Sequence, residues 1–204
     1  MDSVVRFILI LVPCYLLGSI PSSYIMGKLL RGIDLRQHGS GNLGAANTFR
    51  VLGAKAAVPV LLFDIGKGFL AVKIVGMFGV GGILQILTGV LVVILGHNYS
   101  IFVKFSGGKG VGTTAGAFLA MAPVAVGICF VIWAIILLMF RIVSVASIIS
   151  ALFLPVMILL ANRFMESGTH VYVVVMSIIM AALVVYKHRS NLKRLSKGTE
   201  PRIF

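Results

Sequence analysis

Acidic residues are scarce in this 204-residue chain: five Asp and Glu stand against 18 Lys and Arg. Asp2, Asp34, Asp64, Glu166 and Glu200 are all of them, and no two are placed as a pair for two-carboxylate hydrolysis. Cysteine is scarcer still. Cys14 and Cys129 each lie inside an apolar run, which gives no disulfide frame and too few thiols for a zinc site. No cluster of His, Cys and acid has metal-ligand spacing. Charge of either sign is thin, at 11% of residues where a soluble domain has about a quarter. That excludes an ordinary soluble domain. The net charge of +13 therefore reads as basic loops beside a membrane, with no nucleic-acid partner expected.

What the chain has in abundance is apolar length. Hydrophobic residues make up 59% and the mean hydropathy is +1.10. A helix needs about 20 apolar residues to cross ~30 Å of hydrocarbon. The N-terminal run is too long for a secretory h-region, carries Pro13 and Pro21, and offers no small-residue cleavage site, so it reads as a retained span. Lys28 to Lys55 holds five basic residues, Lys104 and Lys109 flank a glycine cluster, and Lys187 to Arg202 holds six. The positive-inside rule puts all three segments in the cytoplasm. Six spans cannot satisfy that parity. Seven can, if the run 111–140 turns at Met121-Ala122-Pro123, since proline begins a helix more readily than it continues one. The expected fold is an all-α integral membrane protein, one membrane-embedded domain over 1–204. Its spans fall roughly at 4–27, 54–76, 80–96, 111–122, 124–140, 143–162 and 170–187, with the N-terminus outside and the C-terminus cytoplasmic. No internal repeat is evident.

Four polar segments then share the cytoplasmic face. In QHGSGNLGAANTFR, 37–50, Gly39, Gly41 and Gly44 let the backbone approach a ligand, Ser40, Asn42 and Asn47 add neutral hydrogen-bonding groups, and Arg50 supplies a cation suited to phosphate. In FSGGKGVGTT, 105–114, Gly107 and Gly108 precede Lys109 at a helix start, a physical arrangement for an anion. It is not a nucleotide P-loop, because Gly110 follows the lysine where Ser or Thr is required. Ser144 and Ser147 open a helix after Arg141, where serine usually serves as an N-cap. In KHRSNLKRLSKGTE, 187–200, His188 and Asn191 stand i, i+3 and share a face if the last helix continues. Asp64 and Lys67 are expected to pair within their span. His97 and Asn98 end a helix and read as capping residues. A cation-rich site without bases should bind anions and leave proton transfer to the substrate.

Three of these segments in order resemble the acyl-phosphate:glycerol-3-phosphate acyltransferase family, whose motifs read G-S-G-N-x-G-A-T-N, F-K-G-G-K-G-V-A-T and K-H-R-x-N-I-x-R-L-x-x-G-x-E. Here they are GSGNLGAAN at 39–47, FSGGKGVGT at 105–113 and KHRSNLKRLSKGTE at 187–200. Ala46, Ser106 and Gly112 depart from the pattern, and Ala146 stands where the family often has serine. The H-x-x-x-x-D base of other glycerolipid acyltransferases is absent. The resemblance implies transfer of a fatty acyl group from acyl phosphate to the 1-hydroxyl of glycerol 3-phosphate in a bacterial cytoplasmic (inner) membrane, the first step of phospholipid synthesis. It implies no cofactor, no metal and no acyl thioester, and a functional coupling to the enzyme that makes acyl phosphate. It also implies that Arg50, Lys109, His188 and Asn191 hold glycerol 3-phosphate. Ser40, Gly41, Asn42, Asn47, Gly107, Gly108, Lys109 and Ser144 or Ser147 would complete the contacts to the two phosphates. Lys109, Ser147, His188 and Asn191 carry the catalytic assignment, with the donor phosphate as base. The rival readings are a transporter of phosphate or an organophosphate and a non-catalytic lipid-binding scaffold. A transporter should show inverted repeats and a midplane site.

Overall fold

A computed structural model describes residues 3–78 and 82–203, and the regular structure among them is entirely helical. The described residues form two compact units that divide in sequence after Ala120.

The first unit contains α1 (Ser3–Ser19), α2 (Ser22–Arg31), α3 (Ala45–Leu52), α4 (Ala54–Met77), α5 (Ile83–Asn98) and α6 (Val111–Met121), the last ending at the division. The span expected at 4–27 is broken at Ile20-Pro21, because the residue before a proline is driven out of helical conformation. The break exposes a backbone carbonyl, and Lys67 Nζ donates to that of Ile20 at 3.2 Å. Irregular backbone at membrane depth persists only where something inside the protein satisfies it. Helices α1 and α5 pack through glycines: a Cβ on Gly18 would lie 2.1 Å from the Val93 carbonyl, and one on Gly96 2.4 Å from that of Tyr15. Small residues at a crossing let helix backbones approach closely where no hydrophobic effect assembles them. Under the polar loops sits a small apolar core of Leu35, Leu43 and Val103, flanked by Tyr24, Ile33, Val51 and Leu52. The expected start of the third span, at residue 80, lies outside the described residues.

The second unit holds α7 (Pro123–Phe140), α8 (Val143–Met165), α9 (Val171–Lys187) and α10 (Arg189–Ser196). Pro123 sits at the first turn of α7, so the turn expected at 121–123 is present. Helix α7 is apolar around its whole circumference, with Leu138 69% exposed and only Ala125 and Cys129 buried. A helix that is apolar all round and uncovered by protein is a membrane span.

Among the described residues four stretches are long and apolar enough to cross a bilayer: 7–31, Ile83–Val103, Pro123–Phe140 and Val143–Met165. Helices α9 and α10 together make a fifth across a 56° bend. Two expected spans fall outside that group for different reasons. Helix α4 has the length but carries Lys55, Asp64, Lys67 and Lys73. Helix α6 has 11 residues, about 16 Å at 1.5 Å per residue.

Candidate active site

The loop leading into α3 is organised by its own hydrogen bonds. Asp34 accepts from the Arg36 backbone N–H at 3.0 Å and from its guanidinium at 2.6 Å, and Arg36 Nη1 reaches the Val103 carbonyl at 3.1 Å. The hydrogen-bonded guanidinium holds the Asp34 carboxyl below its ordinary value. Beyond it the chain turns through Gly39 and Gly41, at φ 62° and 71°, closed by a Gly41 N–H to His38 carbonyl bond of 3.1 Å. Asn47 is tied into the loop's own backbone. Its Oδ1 accepts from the Ser40 N–H at 2.7 Å, and its Nδ2 donates to the carbonyls of Leu35 and His38 at 3.1 and 3.0 Å. At 1% exposure, with its amide bonded to three backbone groups, Asn47 braces the loop. Ser40 is exposed, and Gly41, Asn42 and Arg50 are half-buried.

The second glycine motif packs directly on the first. A Cβ on Gly108 would lie 2.6 Å from the Leu43 carbonyl, so the two backbones touch. Lys109 follows, half-buried, and α6 begins with Thr114 N–H donating to the Gly110 carbonyl at 2.8 Å. The N–H groups of the first α6 turn have no helical acceptor, which favours negative charge beside Lys109. Behind the loop a narrow polar cleft is lined by Ser19, Ser22, Lys67, His97, Ser100 and Gly108, among others. The expected Asp64–Lys67 pair is formed at 2.9 Å, and Ser22 Oγ donates to the same carboxylate oxygen at 2.9 Å. His97, read from sequence as a cap, lies with Nδ1 3.6 Å from that oxygen and is 8% exposed. Nothing local signalled this, since His97 and Asp64 lie on different helices.

In the second unit the serines are not caps. The N-cap of α8 is Ile142. Ser144 Oγ instead donates to Glu200 Oε1 at 2.8 Å, and Ser147 Oγ accepts from Trp133 Nε1 at 3.3 Å. Both serines turn inward, at 3% and 4% exposure, because a buried carboxylate and an indole N–H each need a partner. Glu200 is the residue that the sequence reading passed over. Asn191 Nδ2 donates to its Oε1 at 2.6 Å and Arg194 Nε to its Oε2 at 2.7 Å. Burial opposes ionisation of this carboxyl, yet the three donors and the Arg194 charge outweigh it and leave the pKa below its ordinary value. A lone acid closing a basic tail was the available signal. The tail is further fixed by the Ile203 N–H to the Arg141 carbonyl at 2.8 Å. The last helix does not continue straight: His188 is the joint of the 56° bend between α9 and α10. His188 Nδ1 lies 2.8 Å from the Val184 carbonyl, which can only accept, so the proton is on Nδ1 and Nε2 is the acceptor in the neutral ring. His188 and Asn191 are both 3% exposed. Among the described residues no group of three or more His, Cys, Asp or Glu is placed to hold a metal.

Comparison with known proteins reaches across nearly the whole chain. The sequence profile of the glycerol-3-phosphate acyltransferase family matches residues 8–198. The glycerol-3-phosphate acyltransferase of Parasynechococcus marenigrum is 43% identical over 197 residues, covering 96% of this chain and 89% of its own. Glycerol-3-phosphate acyltransferase 2 of Moorella thermoacetica is 43% identical over 197 residues, covering 97% of both. The crystal structure of PlsY (YgiH), an integral membrane glycerol 3-phosphate acyltransferase, in its glycerol 3-phosphate form superposes with a TM-score of 0.86 at 38% identity. It covers 96% of this chain and 94% of its own. Its lysophosphatidic acid form gives a TM-score of 0.84 at the same identity.

Proposed function

The chain belongs to the glycerol-3-phosphate acyltransferase family, a multi-pass integral membrane acyltransferase in class, and on that premise we propose that it acylates the 1-hydroxyl of glycerol 3-phosphate from acyl phosphate. The hydroxyl oxygen attacks the acyl carbonyl carbon, the bond from that carbon to the phosphate oxygen breaks, and the hydroxyl proton leaves on the donor's own phosphate. The products are lysophosphatidic acid and phosphate. The observation that carries this reading is the backbone contact of the two glycine motifs at Leu43 and Gly108, beside Lys109 and the start of α6. A dianion and an acyl phosphate both require many N–H donors and a cation, and little else. Arg50 suits bidentate contact with a phosphate, and Lys109 suits charge stabilisation at the acyl oxygen and the departing phosphate. Ser40, Gly41, Asn42, Gly107 and Gly108 supply hydroxyl, amide and backbone donors to the acyl-phosphate head. His188 and Asn191 contact glycerol 3-phosphate, and Asn191 does so with its amide already oriented by Glu200. Ser147, oriented by Trp133, remains the serine assigned to the reaction; Ser144 contributes through its bond to Glu200.

Purified protein supplied with acyl phosphate and glycerol 3-phosphate should release phosphate and form lysophosphatidic acid. Activity with an acyl thioester and none with acyl phosphate would overturn the choice of donor. His188→Ala should mainly raise the KM for glycerol 3-phosphate, because a contact is lost and no base is removed. A fall in kcat of ~10⁴-fold at unchanged KM, the upper range for acid–base catalysis, would instead make His188 the base.

The chain is further proposed to form one domain of seven spans in the bacterial cytoplasmic membrane, with α4 and the short α6 counted among them. Cysteines introduced as His38→Cys and Ser196→Cys should label from the cytoplasmic side, and Ser167→Cys from outside. Cys14 and Cys129 are buried and leave that background clean. Labelling of position 196 from outside would remove the seven-span arrangement.

A further inference from the structure

We infer that His97 is a positioning residue that sets the seat of the Lys109 loop; the inference rests on the role proposed above for Lys109. Both ends of His97 touch the loop backbone. The Gly108 N–H donates to the His97 carbonyl at 3.0 Å, and a Cβ on Gly107 would stand 2.0 Å from that oxygen. A Cβ on Gly108 would stand 2.1 Å from His97 Nε2. The glycines are required here by how closely the imidazole approaches them, so the ring is the surface against which the loop rests. The adjacent Asn98 continues that surface, since a Cβ on Gly110 would lie 3.0 Å from its Oδ1. Asn98 is fully buried, and neither of its amide atoms has a hydrogen-bond partner among the described residues. The end of α5 therefore underlies the loop from Gly107 to Gly110, with Lys109 between.

What fixes the ring is a charged network that a helix cap would not need. Nδ1 faces Asp64 Oδ1 across 3.6 Å, beyond direct hydrogen-bond range, so the carboxylate stands beside the imidazole without a direct bond to Nδ1. The same oxygen takes Lys67 Nζ and Ser22 Oγ, and Lys67 donates on to the Ile20 carbonyl at the α1–α2 break. Ionised groups are expensive at membrane depth and are retained where they serve a site. This one runs from a broken helix, through α4, to the back of the glycine loop. Its product is a fixed position for the Lys109 ammonium.

The test is a double-mutant cycle read as phosphate release by the purified enzyme, across His97→Ala, Lys109→Arg and the double variant, with His97→Asn and Lys109→Ala alongside. A misplacement of about 1 Å costs roughly 10²-fold in rate, so His97→Ala should lower kcat by about that factor with the glycerol 3-phosphate KM little changed. His97→Asn, whose amide nitrogen stands near the place of Nδ1, should recover part of the loss. In the Lys109→Arg background the His97→Ala loss should shrink, because the charge that it positions is already displaced. A wild-type kcat for His97→Ala, or losses that multiply to within about twofold in the double variant, would overturn the inference. Should His97→Ala not fold, the same cycle run with His97→Asn decides by the same criterion. If Lys109→Ala itself keeps wild-type activity, the reading of Lys109 fails. Loss on Lys109→Ala with no effect of His97→Ala sinks the positioning role alone.

Discussion

Lys109→Ala is expected to lower kcat/KM by ~10² to 10³-fold, the usual cost of about 3 to 4 kcal/mol for removing one preorganised electrostatic donor, while the protein still folds in detergent. Lys109 lies two residues before α6, whose first-turn N–H groups have no acceptor within the helix, so in the proposed reaction both act on the same developing charge. In the proposed reaction charge shifts onto the acyl oxygen and the leaving phosphate only as the reaction proceeds, which places most of the loss in kcat. Lys109→Arg should rescue in part. A planar guanidinium cannot replace a point charge where Gly108 and Gly110 are both buried and the loop has no slack. Lys104 is the control. It is exposed and caps a short turn in left-handed conformation at φ 57°, so Lys104→Ala should stay near wild type in turnover. Equal losses for the two lysines would make the loop a diffuse basic surface and end its assignment as a site.

Glu200 is expected to matter chiefly through stability, and then through Asn191. Glu200→Ala removes the acceptor of Ser144 and Asn191, both buried, and an orphaned buried donor costs about 1–3 kcal/mol. With both bonds lost, the expected destabilisation is on the order of 3 kcal/mol. The Arg194 contact adds little, because that side chain is 34% exposed and solvent screens it. Glu200→Gln keeps an acceptor and should cost less. In both variants the amide of Asn191 loses its tether or its charge-assisted bond, so the glycerol 3-phosphate KM should rise. The pH dependence has a definite sign. The folded carboxyl titrates below its ordinary value of 4.5, so its contribution is complete above that pH and disappears as pH falls through the folded pKa. Thermal unfolding in detergent should therefore show wild type losing stability between pH 5 and lower values more steeply than Glu200→Gln. Parallel profiles would mean that the carboxyl gains nothing from its three donors.

Much of the architecture was determined by sequence alone, because the signals are local. Apolar length marked helices over 124–140, 143–162 and 170–187, which appear as α7, α8 and α9 within a few residues. Pro123 marked the turn between α6 and α7, since proline constrains the backbone whatever surrounds it. The order of three polar motifs in an apolar chain pointed to the family, and Asp64 and Lys67, one helical turn apart, announced their own pair. The tertiary structure decided what each polar side chain does with its hydrogen bonds. The amide of Asn47 is engaged by the loop's own backbone, and Ser144 and Ser147 looked like caps until Glu200 and Trp133 claimed their hydroxyls. His97 looked like a helix end until α4 and the glycine loop closed around it. In each case the partner lies elsewhere in the chain, on another helix or beyond a turn, and no periodicity encodes it. A buried polar group must be satisfied by whatever the fold brings within about 3 Å, and that neighbour exists only once the helices have packed.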